Sequence, residues 1–174
     1  MGKVVLIKFT DKKGNYKLMY EWCSNKYIYE WFEQRKLSYD EIEDKYKNKL
    51  FGENQDLFFI EYNNIKIGFV QIYKYDDDKK GKLTKYDNIY EYDIFIGEKD
   101  YLSKGIGSIS IKYINNYIYN KYMADCIVLR PFKRNNRAIR CYQKNGFRII
   151  DEYDDYDTVG NEEIIVLMIK EKED

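Results

Sequence analysis

The chain has 174 residues, of which 44% are hydrophobic, enough for one packed domain over 1–174 and too apolar for intrinsic disorder. Its 30 basic and 30 acidic residues sum to a formal net charge of +0, so no global field draws it to nucleic acid or to an anionic membrane. Histidine is absent and no two of the 3 cysteines have C-x-x-C spacing; this argues against His-activated nucleophiles, a metal centre and a disulfide framework, and suits a reducing cytoplasm.

Val4–Phe9 is a β-branched and apolar run, expected as a first strand. Tyr16–Ser24 carries Leu18, Met19, Trp22 and Cys23 at helical spacing. Ser38 and Glu41 form a capping-box pattern before a helix with Ile42, Tyr46 and Leu50 on one face. Leu57–Tyr62 and Ile65–Tyr75 flank Asn63-Asn64, a hairpin signal. Asp76–Lys85 is a polar loop, Ile89–Ile96 a strand, and Gly97–Gly107 a Gly-punctuated loop. A helix is expected over Ser108–Lys121 and a short strand over Cys126–Leu129, stopped by Pro131. Asn135–Asn145 reads as a helix closed by Gly146. Phe147–Tyr153 and Ile164–Ile169 are the last strands, joined by an acidic loop around Asp154.

The order is β-α-α-β-β-β-α-β-α-β-β. It predicts an α/β domain with a mixed sheet of about seven strands, about four helices and one parallel crossover through the 108–121 helix. No apolar run approaches membrane-spanning length, and the first residues hold no signal core.

The segment Ser103-Lys-Gly-Ile-Gly-Ser108 joins a strand to a helix. Gly105 and Gly107 allow a ligand close to the backbone, and the helix start offers free N–H groups and a positive dipole end, which suits a pyrophosphate. Lys104 and Ser108 would add contacts. The same G-x-G also serves as a plain tight turn. It lacks the third glycine of a dinucleotide fingerprint and the Gly-Lys-Ser/Thr of a phosphate-binding P-loop.

About thirty residues on stands Asn135-Asn-Arg-Ala-Ile-Arg-Cys-Tyr-Gln-Lys-Asn-Gly-Phe147. This resembles the second acetyl-CoA motif of the GNAT superfamily, and Leu102–Gly107 resembles the first, Q/R-x-x-G-x-G/A, except that Leu102 replaces Gln or Arg. Glu61–Asn64, Gly68-Phe-Val-Gln-Ile-Tyr73 and Tyr90–Gly97 extend the similarity, which is most like the aminoglycoside 6′-N-acetyltransferases.

The resemblance implies a largely antiparallel GNAT sheet and acetyl-CoA as co-substrate, with no metal. The acceptor would be a small amine, and the protein a monomer or homodimer. It makes Asp93 the catalytic base or amine anchor, with Glu91 as the alternative carboxylate. It gives the backbone of Ile94, Phe95 and Ile96 the thioester carbonyl and pantetheine arm. It assigns Tyr142 protonation of the leaving sulfur, Asn135 the cofactor arm, Ser103 to Ser108 (with Ile106 between the glycines) the pyrophosphate, and Lys144 the adenosine phosphate. Trp31 and Tyr73 match acceptor-side positions; Trp22 and the acidic runs Asp76–Asp78 and Asp151–Asp157 are further candidates for a cationic amine.

Two departures stand out. Ile94 replaces the usual Gln, and Arg130 stands before Pro131 where that family has an acidic residue, a reversal that would repel a polycation if it faces the cleft. A polyamine, a siderophore precursor or a protein amine is therefore an alternative acceptor, and a non-catalytic CoA-binding module the alternative of another class.

Overall fold

The structure, a computed structural model, describes residues 2–53, 55–75 and 81–172. Its elements run β1 (Val4–Lys8), α1 (Lys13–Cys23), α2 (Lys26–Phe32), α3 (Tyr39–Leu50), β2 (Gln55–Tyr62), β3 (Ile65–Lys74), β4 (Ile89–Ile96), α4 (Ile106–Tyr122), β5 (Cys126–Leu129), α5 (Asn136–Lys144), β6 (Arg148–Tyr156) and β7 (Glu162–Glu171). The seven strands form one sheet in the order β1-β2-β3-β4-β5-β7-β6. Every pairing is antiparallel except β4 with β5.

The local signals act as their chemistry requires. Ser38 Oγ accepts from the Glu41 N–H (3.2 Å) while Glu41 Oε2 accepts from the Ser38 N–H (2.8 Å), closing the start of α3. Asn63 and Asn64 have φ of 50° and 64°, the twin left-handed geometry of a tight hairpin turn that Asn tolerates.

The strands alternate between two cores. Phe58, Ile60, Val70, Ile72 and Tyr92 pack with Ile111, Ile114 and Ile118 of α4 on one face. Leu57, Phe59 and Phe69 pack with Met19, Trp22, Ile42 and Tyr46 of α1 and α3 on the other. Each fully buried isoleucine of α4 contributes roughly 1.5–3 kcal/mol by leaving water. With both faces covered, the middle strands read as near-continuous apolar runs, in which a polar residue such as Gln71 (6% exposed) is conspicuous.

One element is added and two expectations are corrected. A fifth helix, α2, fills the stretch after Asn25; its Tyr-Ile-Tyr and Trp-Phe pairs carry strand-like composition on only seven residues, too few to show a helical period. Helix α4 begins at Ile106, two residues before the expected start, with Gly105 as its left-handed N-cap (φ 77°). The stretch around Asp154 is strand, because β6 pairs with β7 as far as Tyr156↔Glu162. The Asp76–Asp78 run lies outside the described residues. No helix among the described residues is long and apolar enough to cross a membrane.

Candidate functional site

The site begins with a gap in the sheet. β4 and β5 pair only over Ile89↔Cys126, Tyr90↔Ile127 and Glu91↔Val128. β4 then continues to Ile96, while β5 ends at Leu129 and Pro131 turns the chain away. The edge of β4 from Tyr92 onward therefore faces an opening rather than a neighbouring strand. A cavity of about 620 Å³ occupies that opening, within the usual size of a small-molecule site.

One end of the cavity is lined by Ser103, Gly105, Gly107 and Ser108 at the start of α4, with Arg137, Arg140, Cys141 and Lys144 from α5. A side chain at Gly105 or Gly107 would meet no protein atom within 4 Å, so both glycines leave open space. Arg137, Arg140 and Lys144 recur at i, i+3 and i+7 and set three cations beside the positive end of α4. Free N–H groups, open glycines and clustered cations fit a phosphate-bearing coenzyme.

Ser108 Oγ accepts from Asn145 Nδ2 (2.8 Å), which ties α4 to the end of α5. Asn135 lines the cavity, but its side-chain oxygen caps α5 by accepting from the Ala138 N–H (3.2 Å). Lys104 lies over the Tyr101 ring, and Ile106 is buried in the core at 4% exposure, so neither side chain lines the cavity.

The middle of the cavity holds Asp93, Ile94, Phe95 and Ile96 opposite Tyr142. Asp93 stands directly across from Gln71 in the β3–β4 register. Its Oδ2 accepts from Gln71 Nε2 (2.5 Å) and from Tyr73 Oη (3.0 Å). Among the described residues Oδ1 accepts nothing. Burial, and then the charge of Asp93, push the Tyr142 hydroxyl above its ordinary pKa, so it holds its proton at neutral pH. The Tyr73 hydroxyl is raised for the same two reasons. Tyr73 backs Asp93 and does not line the cavity, because it sits two residues along β3 with its hydroxyl turned onto the carboxylate.

The other end is assembled from distant segments: Tyr27, Trp31, Phe32 and Gln34 around α2, Arg130 to Phe132 after β5, and Tyr156 to Thr158 at the β6–β7 turn. Thr158 Oγ1 donates to the Glu33 carbonyl (2.6 Å) and the Thr158 N–H donates to Gln34 Oε1 (3.2 Å), tying that turn to the end of α2. The Arg134 guanidinium lies 4.6 Å from the centre of the Trp31 ring.

Arg130 lines the cavity yet is gripped by Glu91, with Nε to Oε1 at 2.9 Å and Nη2 to Oε2 at 2.8 Å. Glu91 is therefore a buried counter-ion rather than a second cavity carboxylate, and Arg130 is neutralised rather than a bare repelling cation. Trp22 is 3% exposed and belongs to the core. Gln71, Arg137, Arg140 and Thr158 were not anticipated as site residues. The helical spacing of the two arginines with Lys144 was a signal for them; nothing local marks Thr158.

A sheet that splays around its single parallel pairing, with a glycine-started helix at the gap, defines an acyl-CoA-binding acetyltransferase architecture. Residues 11–155 match the acetyltransferase (GNAT) domain family, and the chain belongs to it. It is an N-acetyltransferase that uses acetyl-CoA.

An aminoglycoside N(6′)-acetyltransferase type 1 of Klebsiella pneumoniae is 25% identical over 135 residues, covering 75% of this chain and 67% of the relative. A probable spermine N(1)-acetyltransferase of Bacillus subtilis subsp. natto is 32% identical over 81 residues, covering 47% and 49%. The solved structure of the aminoglycoside acetyltransferase AAC(6′)-Ib with coenzyme A and kanamycin superposes with a TM-score of 0.82 at 22% identity, covering 98% of this chain and 95% of that one.

Proposed function

We propose that this enzyme acetylates a primary amine of a small cationic acceptor, of the class that includes aminoglycoside 6′-amines. The observation carrying this reading is the placement of Asp93, at the gap in the sheet between the cation-lined end of the cavity and its aromatic end, with Oδ1 open. Acetyl-CoA supplies the acetyl group as an activated thioester. Gly105, Gly107, Arg137, Arg140 and Lys144 hold its phosphates, and the unpaired edge of Ile94–Ile96 takes the pantetheine arm and acetyl carbonyl.

An alkylammonium has an ordinary pKa near 10.4 and must lose a proton before it attacks. Asp93 Oδ1 takes that proton, directly or through one water. The protonated Tyr142 hydroxyl, across the cavity, gives its proton to the departing sulfur. Trp31 and the rings around α2 wall the acceptor. On an aminoglycoside the product would lack one positive charge, the basis of a resistance activity. The three cysteines, none in a disulfide, suit a cytoplasmic enzyme.

A second acceptor reading, a linear polyamine, is supported by the 32% identity over 81 residues to a probable spermine N(1)-acetyltransferase. Thiol release from acetyl-CoA across a panel of 6′-amino aminoglycosides, spermine and spermidine separates the two. Turnover with the aminoglycosides is the expected result. Turnover with polyamines alone removes the antibiotic reading, and none with either removes both.

A further inference from the structure

Behind Asp93, away from the cavity, a polar chain runs back into the α3 side of the sheet. Lys49, in the last turn of α3, donates from Nζ to Gln71 Oε1 at 2.6 Å. Gln71, 6% exposed, donates from Nε2 to Asp93 Oδ2 at 2.5 Å. Gln71 and Asp93 are direct cross-strand partners, so the link between them is the shortest the sheet allows.

A carboxamide has an acceptor end and a donor end of nearly the same shape. Left alone, Gln71 could turn either towards the carboxylate, and its oxygen would repel it. Lys49 has donors only and selects the oxygen, so the donor end is turned onto Asp93. Flipping the amide would break both bonds at once. The interposed amide matters as well. An ammonium placed directly on Asp93 would occupy the carboxylate, whereas the amide transmits an orientation and keeps the cation one residue away.

Electrostatic coupling along the chain is visible in Lys49 itself. Burial, then the Lys45 ammonium, pull its pKa down, and the charge of Asp93 works against them. Tyr73 donates to the same Oδ2, so both protein donors converge on one oxygen and leave the other for a proton.

We propose that Lys49 is a positioning residue that, through Gln71, locks the Asp93 carboxylate with Oδ2 engaged and Oδ1 presented to the acceptor amine. This rests on the reading of Asp93 as the base. Lys49 does not line the cavity, so its loss should slow proton removal and leave binding alone.

The test uses the full chain, steady-state thiol release with an acceptor found in the panel, calorimetric CoA affinity and thermal unfolding. Lys49→Met is expected to lower kcat about tenfold, a cost typical of a misoriented catalytic group, with acceptor KM and CoA affinity held within about twofold. Lys49→Arg, which keeps donors at the amide oxygen, should recover most of the loss. Gln71→Glu, which sets a second carboxylate against Asp93, should lower kcat at least as far and serves as the second variant if Lys49→Met unfolds. In an Asp93→Asn background Lys49→Met should cost nothing further. Wild-type kcat in Lys49→Met, or the same loss with and without Asp93, overturns the positioning role. Full activity in Asp93→Asn alone would instead overturn the base assignment on which it stands.

Discussion

At the end of the cavity proposed for the coenzyme the lining comes from one glycine turn and one face of α5, whereas at the end proposed for the acceptor it comes from α2, the segment after β5 and the β6–β7 turn. The first set is local in sequence. Gly105 and Gly107 stand two apart, and Arg137, Arg140 and Lys144 repeat with the helix. The second set joins Trp31 to Thr158 across most of the chain. A local set offers backbone N–H groups and a helical row of cations, which any acyl-CoA needs in the same form. A distant set can be changed piecewise, and the Arg130–Glu91 pair is of that kind, an ion pair between β4 and the segment after β5. The coenzyme half of a fold of this kind is thus set by secondary structure, and the acceptor half by tertiary contacts.

Asp93 stands between the two halves, and as the proposed base its removal should have the largest effect. Asp93→Asn keeps the shape and both β3 contacts' geometry but loses the base. Turnover should fall about 10²–10⁴-fold while CoA affinity stays within about twofold. Equal activity in the variant would move the base elsewhere in the cavity. A drop in both quantities together would mean that Asp93 serves the coenzyme half after all.

The next effect should fall on the coenzyme half alone. In Gly107→Val the new Cβ meets no protein atom within 4 Å and carries the side chain into the space assigned to the pyrophosphate. CoA affinity should weaken about ten- to a hundredfold, or about 1.4–2.8 kcal/mol by calorimetry, with the thermal midpoint little changed. Unchanged affinity would place the phosphates away from this turn.

The same division decided what could be read before the fold was known. The apolar strand runs, the Ser38–Glu41 box and the Asn63-Asn64 turn act over a few residues, and each appears in the structure where its pattern stands. So do the glycines of the α4 turn. Helix α2 escaped because aromatic and β-branched residues in a seven-residue stretch mimic a strand, and its position is fixed by Ile28 in the α1–α3 core and Phe32 edge-on to Phe95 rather than by period. The length of β6 escaped because exposed aspartates look like loop, while its backbone pairs with β7 regardless. The Arg130 charge was legible but its partner was not: Glu91 lies 39 residues earlier and meets it only because β4 and β5 pair in parallel at Glu91↔Val128.

That pair offers a smaller perturbation, directed at the acceptor half. Arg130→Met removes two charge-assisted hydrogen bonds from a carboxylate whose side chain is 4% exposed. Breaking a buried pair by deleting one member is costly, but the guanidinium is 32% exposed and partly screened by solvent, so about 1–3 kcal/mol of stability should be lost in chemical denaturation. CoA affinity should be retained. Unchanged stability would show that the Arg130–Glu91 pair gives the fold no net stabilisation.

The smallest expected effect concerns the roof of the acceptor end. Asp157 organises the β6–β7 turn by accepting from the Val159 N–H (3.0 Å) and the Asn161 N–H (2.8 Å). Thr158 then fastens that turn to α2 through the Glu33 carbonyl and Gln34. The Thr158 bonds are neutral and lie near the protein surface, each worth about 0.5–1.5 kcal/mol at most. Thr158→Ala should therefore leave the global unfolding midpoint within about 2 °C, since the turn can open without exposing either core. Gln34, Asp157 and Thr158 all line the cavity, so loosening the tie should widen the acceptor end and raise acceptor KM about two- to fivefold, with kcat and CoA affinity unchanged. A fall in kcat of the same size would mean that the turn does more than enclose the acceptor, and that the division between a coenzyme half built locally and an acceptor half built at a distance stops short of Asp93.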